Sequence, residues 1–184
     1  MLGSAPILQE PADILISPWS TCALGPSLVT MGIGGPGSGT IVAANMALFY
    51  PFRNPWPITV TKVWVANGAG VSGNWDVAVY DESWARLVSA GTTGQSGANV
   101  LQAVDVTDTV IGRGRYYLSI VGSTLTTATY VRSAPAAGIL QSLGCLQQDI
   151  SGIGFPLPAT ATPAKITTAC LPLFGIQCGR AVGP

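Results

Sequence analysis

Residues 58–66 read Ile58-Thr-Val-Thr-Lys-Val-Trp-Val-Ala66, and the fold is decided there. β-branched and aromatic residues recur with a period of two, the period of a strand whose side chains alternate between two faces. The alternation predicts Ile58, Val60, Lys62 and Trp64 on one face and Thr59, Thr61, Val63 and Val65 on the other. Asn67-Gly68 follows directly and predicts a tight turn, because both residue types tolerate positive φ.

The same signature repeats on either side. Met46 to Phe52 is a short apolar run, and Trp75 to Tyr80 alternates with Trp75, Val77 and Val79 on one face. Arg86 to Ala90, Val100 to Val106, Tyr116 to Val121 and Thr127 to Arg132 continue the series, separated by Gly, Asn, Ser or Asp. That makes about seven short strands with no gap long enough for an amphipathic helix, which excludes a βαβ fold and predicts an antiparallel β-sandwich. The sandwich is expected from Ala44 to Arg132 (residues 44–132).

The flanks differ from the body. Residues 1–43 read as an extended N-terminal arm, broken throughout by Pro and Gly, with Gly32 to Gly39 as a linker. That glycine run lacks the lysine and the following helix that a phosphate-binding loop needs. No charged residue lies between Asp13 and Arg53, yet Pro18, Pro26, Pro36 and Pro51 rule out a helix able to span a bilayer. The start lacks a basic region, so no secretory signal is expected. Residues 133–184 read as a C-terminal extension, partly packed on the sandwich or on a neighbouring subunit. Within it, Ala134 to Gln148 is a loop or one weak helical turn, and Phe155 to Pro163 is extended. Leu171 to Ile176 is an edge strand or a clip onto a neighbour, because prolines confine such a segment to an edge.

Composition bears on function. Of 184 residues, 48% are apolar but only 9% are charged, against about 25% in ordinary soluble domains. A surface so poor in charge is weakly protected against association, so partner subunits are expected to cover much of it. Eight basic and eight acidic residues are scattered without a run of either sign. A basic stripe for nucleic acid and a polybasic membrane anchor are both missing, so neither partner is expected.

The chain has no histidine, which removes the usual general base and any Ser-His-Asp or Cys-His arrangement. A carboxylate pair remains as the route to hydrolysis. Asp76, Asp81, Glu82, Asp105 and Asp108 are the candidates, and each reads more readily as turn chemistry. Asp105 and Asp108 are expected to flank a turn. Asp105-Val-Thr-Asp108 lacks the ordered spacing of a calcium loop. Zinc would need Cys22, Cys145, Cys170 and Cys178 together at irregular spacing. No cofactor, no metal and no enzymatic activity are expected; the thiols are either free or joined in one disulfide near the C-terminus. Trp64 and Trp75 read as core. Trp84, beside Asp81-Glu82-Ser83, is the residue best placed for a surface contact with a sugar or a partner chain.

Asn45 to Arg53, Ile58 to Gly68, Ser72 to Asp81, Leu87 to Gly91, Gln102 to Asp108 and Gly114 to Leu118 together resemble the small jelly-roll-type accessory proteins in the virions of tailed bacteriophages. A weaker echo lies at Phe155 to Pro158 and Leu171 to Ile176. The resemblance covers about half of the chain. It implies a virion location, a homo-oligomer such as a trimer, and other virion proteins (the major capsid or a tail protein) as partners. It leaves head and tail positions open. The expected role is capsid decoration or cementing, with Trp84, Trp19, Phe155, Leu171 and Phe174 as candidate surface or partner contacts. A tail or baseplate component is the structural alternative, and a carbohydrate-binding module the alternative of another class.

Overall fold

The computed structural model describes residues 14–18, 37–41, 43–123 and 127–180. In chain order the strands are β1 (Ile14–Ile16), β2 (Gly37–Gly39), β3 (Met46–Asn54), β4 (Ile58–Ala66), β5 (Asn74–Tyr80), β6 (Arg86–Ser89), β7 (Thr93–Gly94), β8 (Leu101–Ile111), β9 (Gly114–Gly122) and β10 (Tyr130–Ser133). After a short helix, α1 (Ala137–Ser142), come β11 (Leu146–Asp149), β12 (Ala164–Lys165), β13 (Leu171–Pro172) and β14 (Phe174–Arg180). The protein is all-β and its strands pair antiparallel, as the alternation predicts.

One sheet runs β1-β14-β4-β8, the other β12-β11-β3-β9-β5-β6 with β7 also on β5, and a small sheet runs β13-β10-β2. The main core draws on both large sheets. Leu48, Tyr50 and Phe52 of β3, Trp75, Val77 and Val79 of β5, and Leu118 and Ile120 of β9 pack with Ile58, Val60, Val63 and Val65 of β4 and with Phe174, Ile176 and Cys178 of β14. Trp75, Val77 and Val79 share the core face, as predicted.

β4 departs from strict alternation. Cys178 pairs with Val60 and Gln177 with Lys62, so Thr61 is an extra residue, a β-bulge. The bulge reverses the pleat: Ile58 and Val60 face the core before it, Val63 and Val65 after it. Trp64 is buried but lies outside that core cluster, on the opposite face from Ile58 and Val60. The expected partition of β4 is therefore corrected in its second half. Asn67-Gly68 is corrected too. Neither residue has positive φ, and no hairpin forms there, because the chain crosses from the sheet of β4 to the sheet of β5. Gly68 is instead required by close approach: a Cβ would sit 2.2 Å from Ser38 Oγ and 2.5 Å from Thr129 Oγ1.

The C-terminal segment is more than an extension. β14 is hydrogen-bonded between β1 and β4, inside a sheet and not at its edge. The proline-bearing part, Leu171–Pro172, forms the separate strand β13 at the end of the small sheet, where a missing N–H costs little. β11 pairs with β3, and Leu140 of α1 is fully buried in the core. Residues 150–161 lie over the second face of the large sheet, where Ile150, Leu157 and Ala161 pack on Ala47, Phe49, Ala78, Tyr80, Tyr117 and Val121. Covered on both faces, β5 is buried at six of its seven positions.

Candidate functional site

The β3–β9 register places Arg53 directly opposite Arg115, with Asn54 opposite Gly114. Paired residues of an antiparallel ladder share a face, with Cα atoms about 4.5–5.5 Å apart. Both arginines therefore project from one face of the sheet. Arg113, in the turn just before β9, joins them in lining one open groove of about 720 Å³, with Pro51, Leu143 and Glu82. The Arg113 turn is held from beneath: Asn54 Nδ2 donates to Gly112 O at 2.7 Å, and Tyr116 Oη donates to the same oxygen at 3.1 Å. Three of the eight basic residues of the chain therefore converge on one groove with a single glutamate. Among the described residues, the one ion pair is Lys62–Asp105 at 2.8 Å, so no carboxylate of this set neutralises the three arginines.

An aromatic stack borders the groove. The Arg115 guanidinium lies 5.3 Å from the ring centre of Tyr117, and the Trp84 ring lies 4.3 Å from the same ring, tilted by 32°. A cation over an aromatic face is attracted by the ring quadrupole and loses freedom. Trp84 also meets Phe49 edge-on at 5.9 Å. Its position is set by the β5–β6 loop. Asp81 Oδ1 accepts hydrogen bonds from Ser83 Oγ (2.7 Å), Ser83 N (2.9 Å) and Ala85 N (3.0 Å). Those bonds, the Ser83 hydroxyl first, hold the Asp81 carboxyl below the usual carboxylate range. Asp81 serves as turn chemistry, as expected, in the loop between β5 and β6, and Trp84 ends that loop at φ 67°, a region unusual for a bulky residue.

A second polar cluster lies on the covered face of the same sheet. Asp76 is fully buried on β5. Ser89 Oγ donates to it at 2.9 Å, and Leu157 N donates at 3.1 Å. Burial pushes its pKa from 3.8 up to about 6, against these hydrogen bonds and the nearby Arg86 charge. The Arg86 guanidinium donates to Leu157 O, and Tyr80 Oη donates to Pro158 O at 2.6 Å. The cluster staples residues 157–158 to the β5–β6 hairpin. Its carboxylate is fully buried, and these bonds hold the 157–158 segment against the sheet.

The predicted contact residues fall in different places. Trp84 and Phe155 are half-buried at the edge of the outer-face cluster. Leu171 and Phe174 are fully buried in the main core, a correction to their expected place at a partner contact. Their burial follows from the inclusion of β13 and β14 in the sheets. Trp19 and Cys22 lie outside the described residues, whereas Cys145, Cys170 and Cys178 are buried in the main core. Asp105 and Asp108 do not flank a turn; both belong to the eleven-residue strand β8. Among the described residues, no group of three or more Cys, Asp or Glu is placed to hold a metal, and no helix is long and apolar enough to cross a membrane.

The arginine groove escapes linear reading because Arg53 and Arg115 are brought together only by strand pairing. The one local signal is Arg113-Gly-Arg115, two like charges at the spacing that shares a strand face. Comparison with known protein families, with curated proteins and with solved structures found no match.

Proposed function

We propose that this chain is a non-enzymatic structural protein of a bacteriophage virion, one that decorates or cements the capsid through subunit contacts. The observation that supports this reading most directly is strand β8. It is eleven residues long, ends the β1-β14-β4-β8 sheet, and leaves Leu101 56% and Val110 64% exposed. A long edge strand with exposed apolar side chains is a template for pairing with another chain, and soluble monomers usually blunt such edges with charge. Here Lys62 and Asp105 neutralise one another on that sheet, which leaves Asp108 as the one charge of β8 without an ion pair among the described residues, within a chain only 9% charged. A second copy laid along β8 would cover this edge and build a homo-oligomer.

The test is the oligomeric state of the purified protein, followed by binding to capsids lacking it. The expected result is an oligomer that Val110→Lys dissociates and that saturates sites on the particle. A monomer at all concentrations with no affinity for capsids would sink the proposal. Particle density located on the tail or baseplate would transfer the same structural role from head to tail.

A further inference from the structure

We propose that the groove formed by Arg53, Arg113 and Arg115 is a binding site for a tetrahedral dianion, a phosphate or sulfate group. Three observations converge on it. First, Arg53 and Arg115 are direct cross-strand partners, and like charges placed opposite one another destabilise a sheet. An anion that bridges the pair would relieve that repulsion. Second, among the described residues no carboxylate pairs with the three arginines, while Glu82, the one acid in the lining, is exposed. Third, the groove has about 720 Å³ of space, within the range of ordinary ligand sites.

Geometry selects the class of anion. Each guanidinium presents a planar fork of donors, and two such forks fill the roughly four lone-pair sites of a carboxylate. Three guanidinium groups lining one groove offer more donors than a carboxylate accepts. A tetrahedral dianion has the oxygens and the charge to engage all three. Arg115 is steadied by Tyr117, and the Arg113 turn by Asn54 and Tyr116, so part of the ordering cost is met before the ligand arrives. The apolar lining by Pro51 and Leu143 leaves room for a larger molecule bearing the group.

The experiment titrates the full chain with inorganic phosphate, inorganic sulfate and glycerol 3-phosphate, holding ionic strength constant with sodium chloride. Binding is read by calorimetry and by the shift in thermal midpoint. The expected result is saturable binding that weakens about tenfold or more in Arg53→Gln and Arg115→Gln, the loss of one charge-assisted fork. Lys62→Gln, on the other large sheet, should bind as wild type. Without added anion and at low salt, Arg53→Gln should also unfold at a higher temperature than wild type, because the opposed charge is gone. Tighter binding of glycerol 3-phosphate than of phosphate would identify the group as part of a larger ligand; equal binding would identify the free ion. The proposal is overturned if none of the three anions binds beyond the matched chloride control, or if both arginine variants bind phosphate as wild type does.

Discussion

Asp76 and Leu157 are 81 residues apart in the chain, and the Leu157 N–H donates to Asp76 Oδ2 at 3.1 Å. This bond closes the outer-face loop onto the hairpin and takes the carboxylate out of water. Its consequence is a dependence of stability on pH. The folded-state pKa, about 6, lies above the starting value of 3.8. The folded state therefore holds the proton more tightly than the unfolded chain between those values. This group's contribution to stability is greatest below about pH 4, falls as pH rises toward 6 and stays low above it. The expected loss is on the order of 2–3 kcal/mol. Chemical denaturation of wild type and Asp76→Asn from pH 4 to 7 tests this. The difference between the two proteins should change by that amount over pH 4–6 and stay flat at higher pH, whereas a pH-independent difference would refute it.

Asn67 carries a different load. Its Nδ2 donates to Ser96 O (2.7 Å), Gly97 O (3.0 Å) and Gln102 Oε1 (3.1 Å), and its Oδ1 accepts from Gln95 Nε2 at 3.1 Å. Gln102 in turn accepts from Trp75 Nε1, and Gln95 Nε2 donates to Thr129 O. Removing the hub breaks four hydrogen bonds made by a residue only 1% exposed, although Gln102 and Gln95 keep their other partners. Asn67→Ala should destabilise the protein by about 3 kcal/mol, while the exposed Asn99 changed to Gly, at φ 55°, should be neutral or slightly stabilising. Urea denaturation midpoints compare them directly.

Gly175 makes a steric prediction. A Cβ there would stand 2.0 Å from Ile16 O and 2.9 Å from the Trp64 ring. Gly175→Ala should cost about 2–4 kcal/mol, or detach β1 from β14. At Gly179, on the same strand, an added Cβ would meet nothing within 4 Å, so Gly179→Ala should stay within about 0.5 kcal/mol of wild type. Amide exchange across residues 14–16 in Gly175→Ala separates local detachment from global loss.

Trp84 combines a costly backbone with a useful ring. Trp84→Ala should cost about 2 kcal/mol, because the contacts with Tyr117 and Phe49 go while the positive φ remains. Trp84→Gly should be no less stable than Trp84→Ala, reversing the usual order of these two residues, since glycine adopts φ 67° without strain. Thermal unfolding of the pair decides it; a Gly variant clearly below the Ala variant would show that the turn conformation is not held in solution.

Local sequence sufficed for the central strands β3, β4, β5 and β9, but not for β2 inside the expected Gly32 to Gly39 linker or for β8 running through Asp108. The period of two in β4 and β5 is a property of neighbouring residues, and the bounds Ile58 to Ala66 were legible because apolar alternation begins and ends there. The Asp81-Glu82-Ser83 turn was legible for the same reason: an aspartate caps backbone N–H groups only two to four residues away. The remaining features came from tertiary structure. The bulge at Thr61 turns Val63 and Val65 inward, because β14 and β8 fix the register of β4 from outside it. Leu171 and Phe174 became core because β13 and β14 were taken into the sheets, β14 between β1 and β4. Asp76 became buried because residues more than seventy positions later cover its face. Arg53 and Arg115 became neighbours because β3 pairs with β9. Such placements depend on pairings between distant segments, which are settled by the packing of the whole chain and leave no mark in local periodicity.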